Sequence, residues 1–421
     1  MLGPVSRMTD VSRPRVVGPI TVGHGVNEFF SIVVPPIIPL LVSDLGITYG
    51  QGGFLLTVFF VMYSLFQLPA GVVADRIGKR RIMLVGLAGM SVGVFVASTA
   101  DTYGTLVVGQ AIAGISGSTF HPSGMSIISD VETGTTEGKA MGVFGFGGAL
   151  GTLCAPLLVG GVAAVAGWQV ALAGAAGLGV LVTLAMVPVM ADPAEDDGGD
   201  DGDPPLRTDG SRASLVDVAG TLRRLVGVPF TRGIVLLFAM TLLLSMQHRA
   251  IQTFTTSYVV AETGSSLSFG NLTFFALLLG GSVSSLWAGD LADRVNRALL
   301  GVGTAVATAL LVGATLLVPN LLGDLPVELV LVVLGVWFAG IGVTTYACYP
   351  VKNALISQEA DAAFSGSLFG VMQTASALGS AGGPALFGTL ADRWGVAAAF
   401  PAIGAVSVAL ALLFVLLMRR D

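Results

Sequence analysis

The run GVVADRIGKRR at residues 71–81 decides how this chain is read. Asp75, Arg76, Lys79, Arg80 and Arg81 sit between two long apolar stretches, so the run reads as a short polar turn joining two membrane helices. A weaker copy, GDLADRVNR, occupies 289–297. Gly71, Ala74, Asp75 and Arg76 then match Gly289, Ala292, Asp293 and Arg294 at an offset of 218 residues. A second set of matches has an offset of 228: Pro122 with Pro350, Gly142 with Gly370, Gly151 with Gly379, Pro156 with Pro384, and Gly160 with Gly388. Two fixed offsets describe a chain made of two copies of one unit. Internal repeats that place a binding site between two halves are a device of membrane carriers.

Composition agrees with a membrane reading. Of 421 residues, 53% are apolar and only 11% are charged, against about 25% charged in soluble domains. The 58 glycines suit helices that pack closely in lipid. Cys154 and Cys348 read as small core residues, with no disulfide or zinc framework. Residues 1–15 carry Arg7, Arg13 and Arg15, but the apolar stretch behind them is too long for a signal sequence and holds His24 and Glu28. The first segment is therefore expected to stay as a helix.

Hydropathy predicts twelve spans, at 16–42, 50–73, 82–100, 104–129, 139–165, 168–190, 232–260, 268–290, 298–318, 327–356, 364–391 and 396–418. The fold class expected is all-α and integral to the membrane, with twelve helices in two pseudo-symmetric six-helix bundles. The bundles are expected at 1–190 and 232–421. Between them, 191–231 reads as an acidic linker: 192–209 is rich in Asp, Gly and Pro, and Leu215, Val218, Leu222 and Leu225 then recur at helical spacing beside Arg223 and Arg224. With both termini in the cytoplasm, all the lysines and arginines face inward except the intramembrane Arg249 and Lys352 and the outward Arg393. The expected location is the cell membrane.

On these grounds the chain resembles the major facilitator superfamily, in its six-plus-six pattern, its charged central loop and both copies of the signature loop. The resemblance implies a secondary transporter working by alternating access, ordinarily as a monomer, with helices 1, 4, 7 and 10 around a central cavity. With no HExxH or carboxylate-rich catalytic motif, an acidic linker and no basic aromatic patch, no enzyme activity, cofactor or nucleic-acid partner is expected; the partners expected are a small solute, a coupling ion such as a proton, and lipid. The resemblance also makes Gly71, Asp75, Arg76, Gly78, Lys79, Arg80, Asp293 and Arg294 a conformational gate. In that gate Gly71 lets helix ends approach, and Asp75 pairs with an arginine or a helix N-terminus. Gly151, Pro156, Gly379 and Pro384 read as helix-packing positions. The stretch 142–161 approximates the Gly/Pro pattern of the superfamily's antiporters but has Ala155 for a Gly and an extra residue before Gly160. The usual antiporter arginine of helix 4 is Gln110 here.

Polar residues inside the membrane are costly and point to function. His24, Asn27, Glu28 and Ser31 share one helical face, as do Ser245, His248, Arg249 and Gln252. Gln110, Gly114, Gly117 and His121 form a stripe on the fourth span, and Tyr349, Lys352 and Asn353 cluster on the tenth. Each has a structural reading too: His121 donating to a carbonyl freed by Pro122, Lys352 snorkelling, His24 packing. Glu28 and Arg249 are expected to pair across the halves and to form the coupling pair, with an anion competing for Arg249. The cationic balance favours a small organic anion; drug–proton antiport stays open as the alternative, and a non-transporting membrane sensor as a less favoured one. A metal on His24, His121 and His248 needs three helices to cooperate, and none is expected.

Overall fold

The computed structural model describes residues 11–190, 231–317, 322, 325–359 and 365–418. The acidic stretch 192–209 and the amphipathic helix expected after it lie outside the described residues.

Twelve helical segments follow in order. They are α1 (Pro14–Ser31, resuming at Ile38–Leu45), α2 (Tyr49–Ile77), α3 (Lys79–Ser98), α4 (Tyr103–Gly117, resuming at Phe120–Val131), α5 (Thr135–Ala166), α6 (Trp168–Val189), α7 (Arg232–Thr263), α8 (Leu267–Arg294), α9 (Arg297–Gly313), α10 (Val327–Glu359), α11 (Ser365–Trp394) and α12 (Val396–Met418). No strand occurs among the described residues. Among the described residues nine helices are long and apolar enough to cross a membrane, or ten when the bent halves of α1 count as one span. The other two expected spans fall short for local reasons. The fourth is broken into pieces of 15 and 12 residues, and the apolar residues of α11 are diluted by Gly, Ser, Thr and Gln.

Local chemistry accounts for the two breaks. In α1, Pro35, Pro36 and Pro39 cannot donate backbone hydrogen bonds, and the chain bends by 40° around a 3₁₀ turn at Pro35–Ile37. In α4, Ser118 and Thr119 bond back to the carbonyls of Ile115 and Ser116 at 2.6 and 2.9 Å, just ahead of Pro122.

The duplication extends to the helix ends. Gly46 and Gly264, 218 residues apart, both cap helices in the left-handed region, at φ 62° and 63°. Thr48 and Ser266, at the same offset, both cap the next helix by accepting an amide hydrogen bond, at 3.2 and 3.3 Å. Gly167 and Gly395, 228 apart, repeat φ values of 87° and 85°. Packing repeats as well. Gly151 of α5 lies against the Gly25 carbonyl of α1, where a Cβ would collide, and Gly379 of α11 lies the same way against the Leu242 carbonyl of α7. Only glycine lets these backbones meet so closely.

The halves lock together at one end. Thr57 Oγ1 donates to the Ala381 carbonyl at 2.5 Å, and both carboxylate oxygens of Asp392 accept from Gly50 N at 3.0 Å. Asn271, 2% exposed, donates to the Pro36 carbonyl at 3.1 Å and accepts from Thr256 at 3.2 Å. Bonds of this kind average about 0.6 kcal/mol each in membranes. They therefore set register, while close backbone contact supplies most of the cohesion.

The other end corrects one expectation. Gly71 touches nothing within 4 Å of where a Cβ would stand, so it makes no close approach in this conformation. Asp75 is exposed, with no hydrogen-bond or ion-pair partner among the described residues. Gly78 is the constrained glycine of the loop, at φ 99°. Lys79 reaches Asp130 within its own half at 2.6 Å. In the second copy the charges pair locally, Arg294 with Asp290 at 2.7 Å and Arg297 with Asp293 at 3.0 Å. Cys348 is buried, but Cys154 is exposed and is no core residue.

Candidate functional site

A cleft of about 550 Å³ lies between the halves. Phe59 and Ser380 line it within a turn of the Thr57–Ala381 contact, and Gln67, Met125 and Gln373 line it farther toward the Asp75 end. It is thus shut at one end and extends toward the other. Its walls come from α1 (Glu28, Ser31), α2 (Phe59, Phe60, Tyr63, Ser64, Gln67), α4 (His121, Pro122, Met125), α7 (Arg249) and α11 (Gln373, Ser376, Ala377, Ser380).

The first wall is built around two histidines. His24 Nδ1 donates to the Phe144 carbonyl at 2.7 Å, and the ring stacks on Phe144 with centroids 3.8 Å apart. His24 Nε2 lies 3.2 Å from His121 Nε2. On its other side His121 Nδ1 meets the Tyr63 hydroxyl at 2.5 Å. Glu28 Oε1 is 3.8 Å from both Nε2 atoms. The break in α4 frees His121 from the stripe through Gln110, Gly114 and Gly117. Gly114 and Gly117 instead pack on Phe59 and Met90.

Arg249 dominates the facing wall. Its guanidinium lies 4.4 Å over the Phe60 ring and donates to Gln252 Oε1 at 2.9 Å. Gln252 in turn donates to the Tyr346 hydroxyl at 2.8 Å. The expected ion pair between Glu28 and Arg249 is absent among the described residues. Glu28 Oε1 lies beside the two imidazoles at 3.8 Å, and Arg249 is held by an aromatic face and an amide.

Several candidates sit elsewhere. His248 is buried against Tyr346 and Tyr349, with centroids 4.5 and 5.2 Å away, and takes no part in the histidine pair. Asn27 faces inward, donating to the Gly117 carbonyl and the Met90 sulfur, both at 3.2 Å. Gln110 is buried and is not among the cleft-lining residues. Lys352 is buried with its ammonium 5.1 Å from the Tyr349 ring centre, so it does not snorkel; neither it nor Tyr349 lines the cleft, and Asn353 is exposed. Sequence reasoning missed the contributions of α2 and α11, above all Tyr63, Gln67 and Gln373. Their signal was present as polar residues in apolar helices, but those two helices carry no ionised side chain at this depth.

The profile of the Major Facilitator Superfamily matches residues 20–384. The fosmidomycin resistance protein of Escherichia coli is 23% identical over 70% of this chain and 69% of its own length. The puromycin resistance protein of Streptomyces alboniger is 31% identical over 30% of this chain and 26% of its own. The quinolone resistance protein of Staphylococcus aureus is 28% identical over 26% of this chain and 28% of its own. A bacterial homologue of the human lysosomal transporter Spinster, crystallised in an inward-facing and occupied conformation, shares the fold with a TM-score of 0.79. That match covers 97% of both chains at 14% identity.

Proposed function

Because this chain belongs to the major facilitator superfamily and is a multi-pass membrane transporter, we propose that it carries a small organic anion through its central cleft by alternating access. The observation that carries the reading is Arg249, a guanidinium lining the cleft with no carboxylate partner among the described residues. A cation held at membrane depth without a counter-ion is costly, and an anionic solute offsets that cost. A proton is the proposed coupling ion. An anion moving toward a negative interior costs about 2.3 kcal/mol per charge per 100 mV, and a co-moving proton cancels it. In this reading both termini lie in the cytoplasm, the units 1–190 and 232–421 are joined there by 191–231, and the protein acts as a monomer in the cell membrane. The cleft then extends inward, and the Asp75 loop is a gate drawn in its open state. Labelling a cysteine introduced in the linker from outside intact cells would overturn the orientation.

Export of drug-like compounds is the second reading, favoured by the resistance proteins among the relatives. Flux into proteoliposomes under an imposed pH gradient separates the two. The panel holds organic phosphates, carboxylates, fosmidomycin and lipophilic cations. Anion flux that follows the proton gradient, with affinity at least about tenfold weaker in Arg249→Ala, is the expected result. Lipophilic-cation flux alone, or unchanged anion affinity in Arg249→Ala, replaces this reading with the second.

A further inference from the structure

The histidine pair and Glu28 bring three metal-ligating atoms together at the edge of the cleft. A carbonyl only accepts, so the Phe144 carbonyl fixes a proton on His24 Nδ1 and leaves the lone pair of the neutral ring on Nε2. That lone pair points at His121 Nε2 from 3.2 Å. When the Tyr63 hydroxyl donates to His121 Nδ1, His121 Nε2–H donates to His24 Nε2 and the pair is satisfied without an ion. When the hydroxyl accepts instead, His121 Nε2 is a second lone pair and a cation fits between the two. Glu28 Oε1 supplies the third corner of a triangle with sides of 3.2, 3.8 and 3.8 Å. Tetrahedral bonds of 2.0–2.2 Å place ligand atoms about 3.3–3.6 Å apart, so the two nitrogens are at the required spacing and the Glu28 carboxylate reaches it by closing a few tenths of an ångström.

We propose that His24, His121 and Glu28 form a binding site for a divalent transition-metal ion of the zinc class. The ligand set of two imidazoles and one carboxylate is the type that leaves a fourth position open. Each imidazole has an outer partner on its far nitrogen, the Phe144 carbonyl for His24 and the Tyr63 hydroxyl for His121, and such partners fix the ring and its tautomer. Stacking on Phe144 fixes the His24 ring further. Glu28 and His121 both line the cleft, so the open position is reached from it. With one carboxylate the bound ion keeps net positive charge, and this wall then faces Arg249 across the cleft as a second anion-attracting surface. The site stands whether or not the transported solute is an anion.

The test uses the untagged full-length protein in lipid nanodiscs, stripped of metal and titrated with Zn²⁺ or with Co²⁺ as the spectroscopic probe. The expected result is one tight ion per chain, the intense visible absorption of tetrahedral Co²⁺, and two imidazoles in the zinc X-ray absorption spectrum. His121→Gln and Glu28→Gln abolish the cobalt band, Tyr63→Phe weakens zinc about 10- to 100-fold, and His248→Gln leaves both unchanged. The absorption spectrum needs no variant, so it decides the matter even where a substitution fails to fold. A spectrum without imidazole, or binding that survives both His121→Gln and Glu28→Gln, overturns the site and assigns the ion elsewhere, such as the acidic stretch 192–209.

Discussion

The two halves use one scaffold to hold opposite chemistry. Gly151 and Gly379 seat α5 on α1 and α11 on α7 in the same way. The side chains that the repeat would equate have diverged. The contacts of Gly151 with Gly25 and of Gly379 with Leu242 equate Gly25 with Leu242, so His24 and Glu28 correspond to Thr241 and Ser245, and Ser31 to His248. His121 corresponds at 228 to Tyr349. Tyr63 corresponds to Gly281, whose missing side chain makes room for the Tyr346 ring. One wall of the cleft is therefore acid and imidazole, and the other is guanidinium backed by an amide and tyrosines. Small residues at backbone contacts cannot change without parting two helices. Side chains at the cleft answer only to solute and coupling ion, so duplication fixed the first and left the second free.

Breaking the shared scaffold gives the largest expected effect. Gly151→Leu and Gly379→Leu each force a side chain into a neighbouring carbonyl, an overpacking that costs about 1–3 kcal/mol or more. Both are expected to lower the melting temperature of purified protein by similar amounts. A large loss in only one would mean that the halves are not equivalent in packing. Next comes the support of Arg249. Gln252→Leu removes a hydrogen bond to a charged group, worth about 1.5–3 kcal/mol, and is expected to weaken anion binding about tenfold while His24 and His121 stay as they are. Unchanged affinity by calorimetry would mean that Phe60 alone orients the guanidinium.

Smaller effects are expected at the two signature loops, where the contrast is between a partnerless and a paired carboxylate. Asp75→Asn should slow turnover several-fold and leave equilibrium affinity within a few fold. Asp293→Asn, which loses only the local contact with Arg297, should slow it less. Equal effects would deny the gate its asymmetry.

The smallest concerns Glu132, just after α4, which accepts from Arg13 N at 2.8 Å and Ser12 N at 3.1 Å and so tethers the start of α1. Burial acts to raise its pKa, but the bonds from Arg13, Thr136 and Ser12 outweigh it and hold the carboxyl below its ordinary 4.5. A lowered folded-state pKa means that the tether is at full strength above about pH 4.5 and is lost as pH falls through the lower value. Amide exchange at Ser12 and Arg13 should show protection near neutrality that disappears in acid. Glu132→Gln should flatten that profile, and an unchanged profile would place the titrating group elsewhere.

Much of the architecture was legible in the residues because each cue acts within one helix or one turn. Apolar runs of about 20 residues must span or be buried, the bases at 76–81 hold their turn on one side, and Gly and Pro at two fixed offsets mark a duplicated scaffold. Helical spacing also put His24 and Glu28 on one face, and they do lie 3.8 Å apart. Spacing does not reveal which way a face turns or what stands opposite. His24 and His121 are 97 residues apart and meet because α4 breaks at Ser118–Thr119 and redirects its second piece. The same limit hid α2 and α11 as cleft walls, split His248 from the other histidines, and left Glu28 facing imidazoles in place of Arg249. Sequence by itself determined the helices, their ends and their duplication, since those depend on neighbours along the chain. Tertiary structure alone decided which polar groups meet, because that depends on how each helix is rotated and where it is broken.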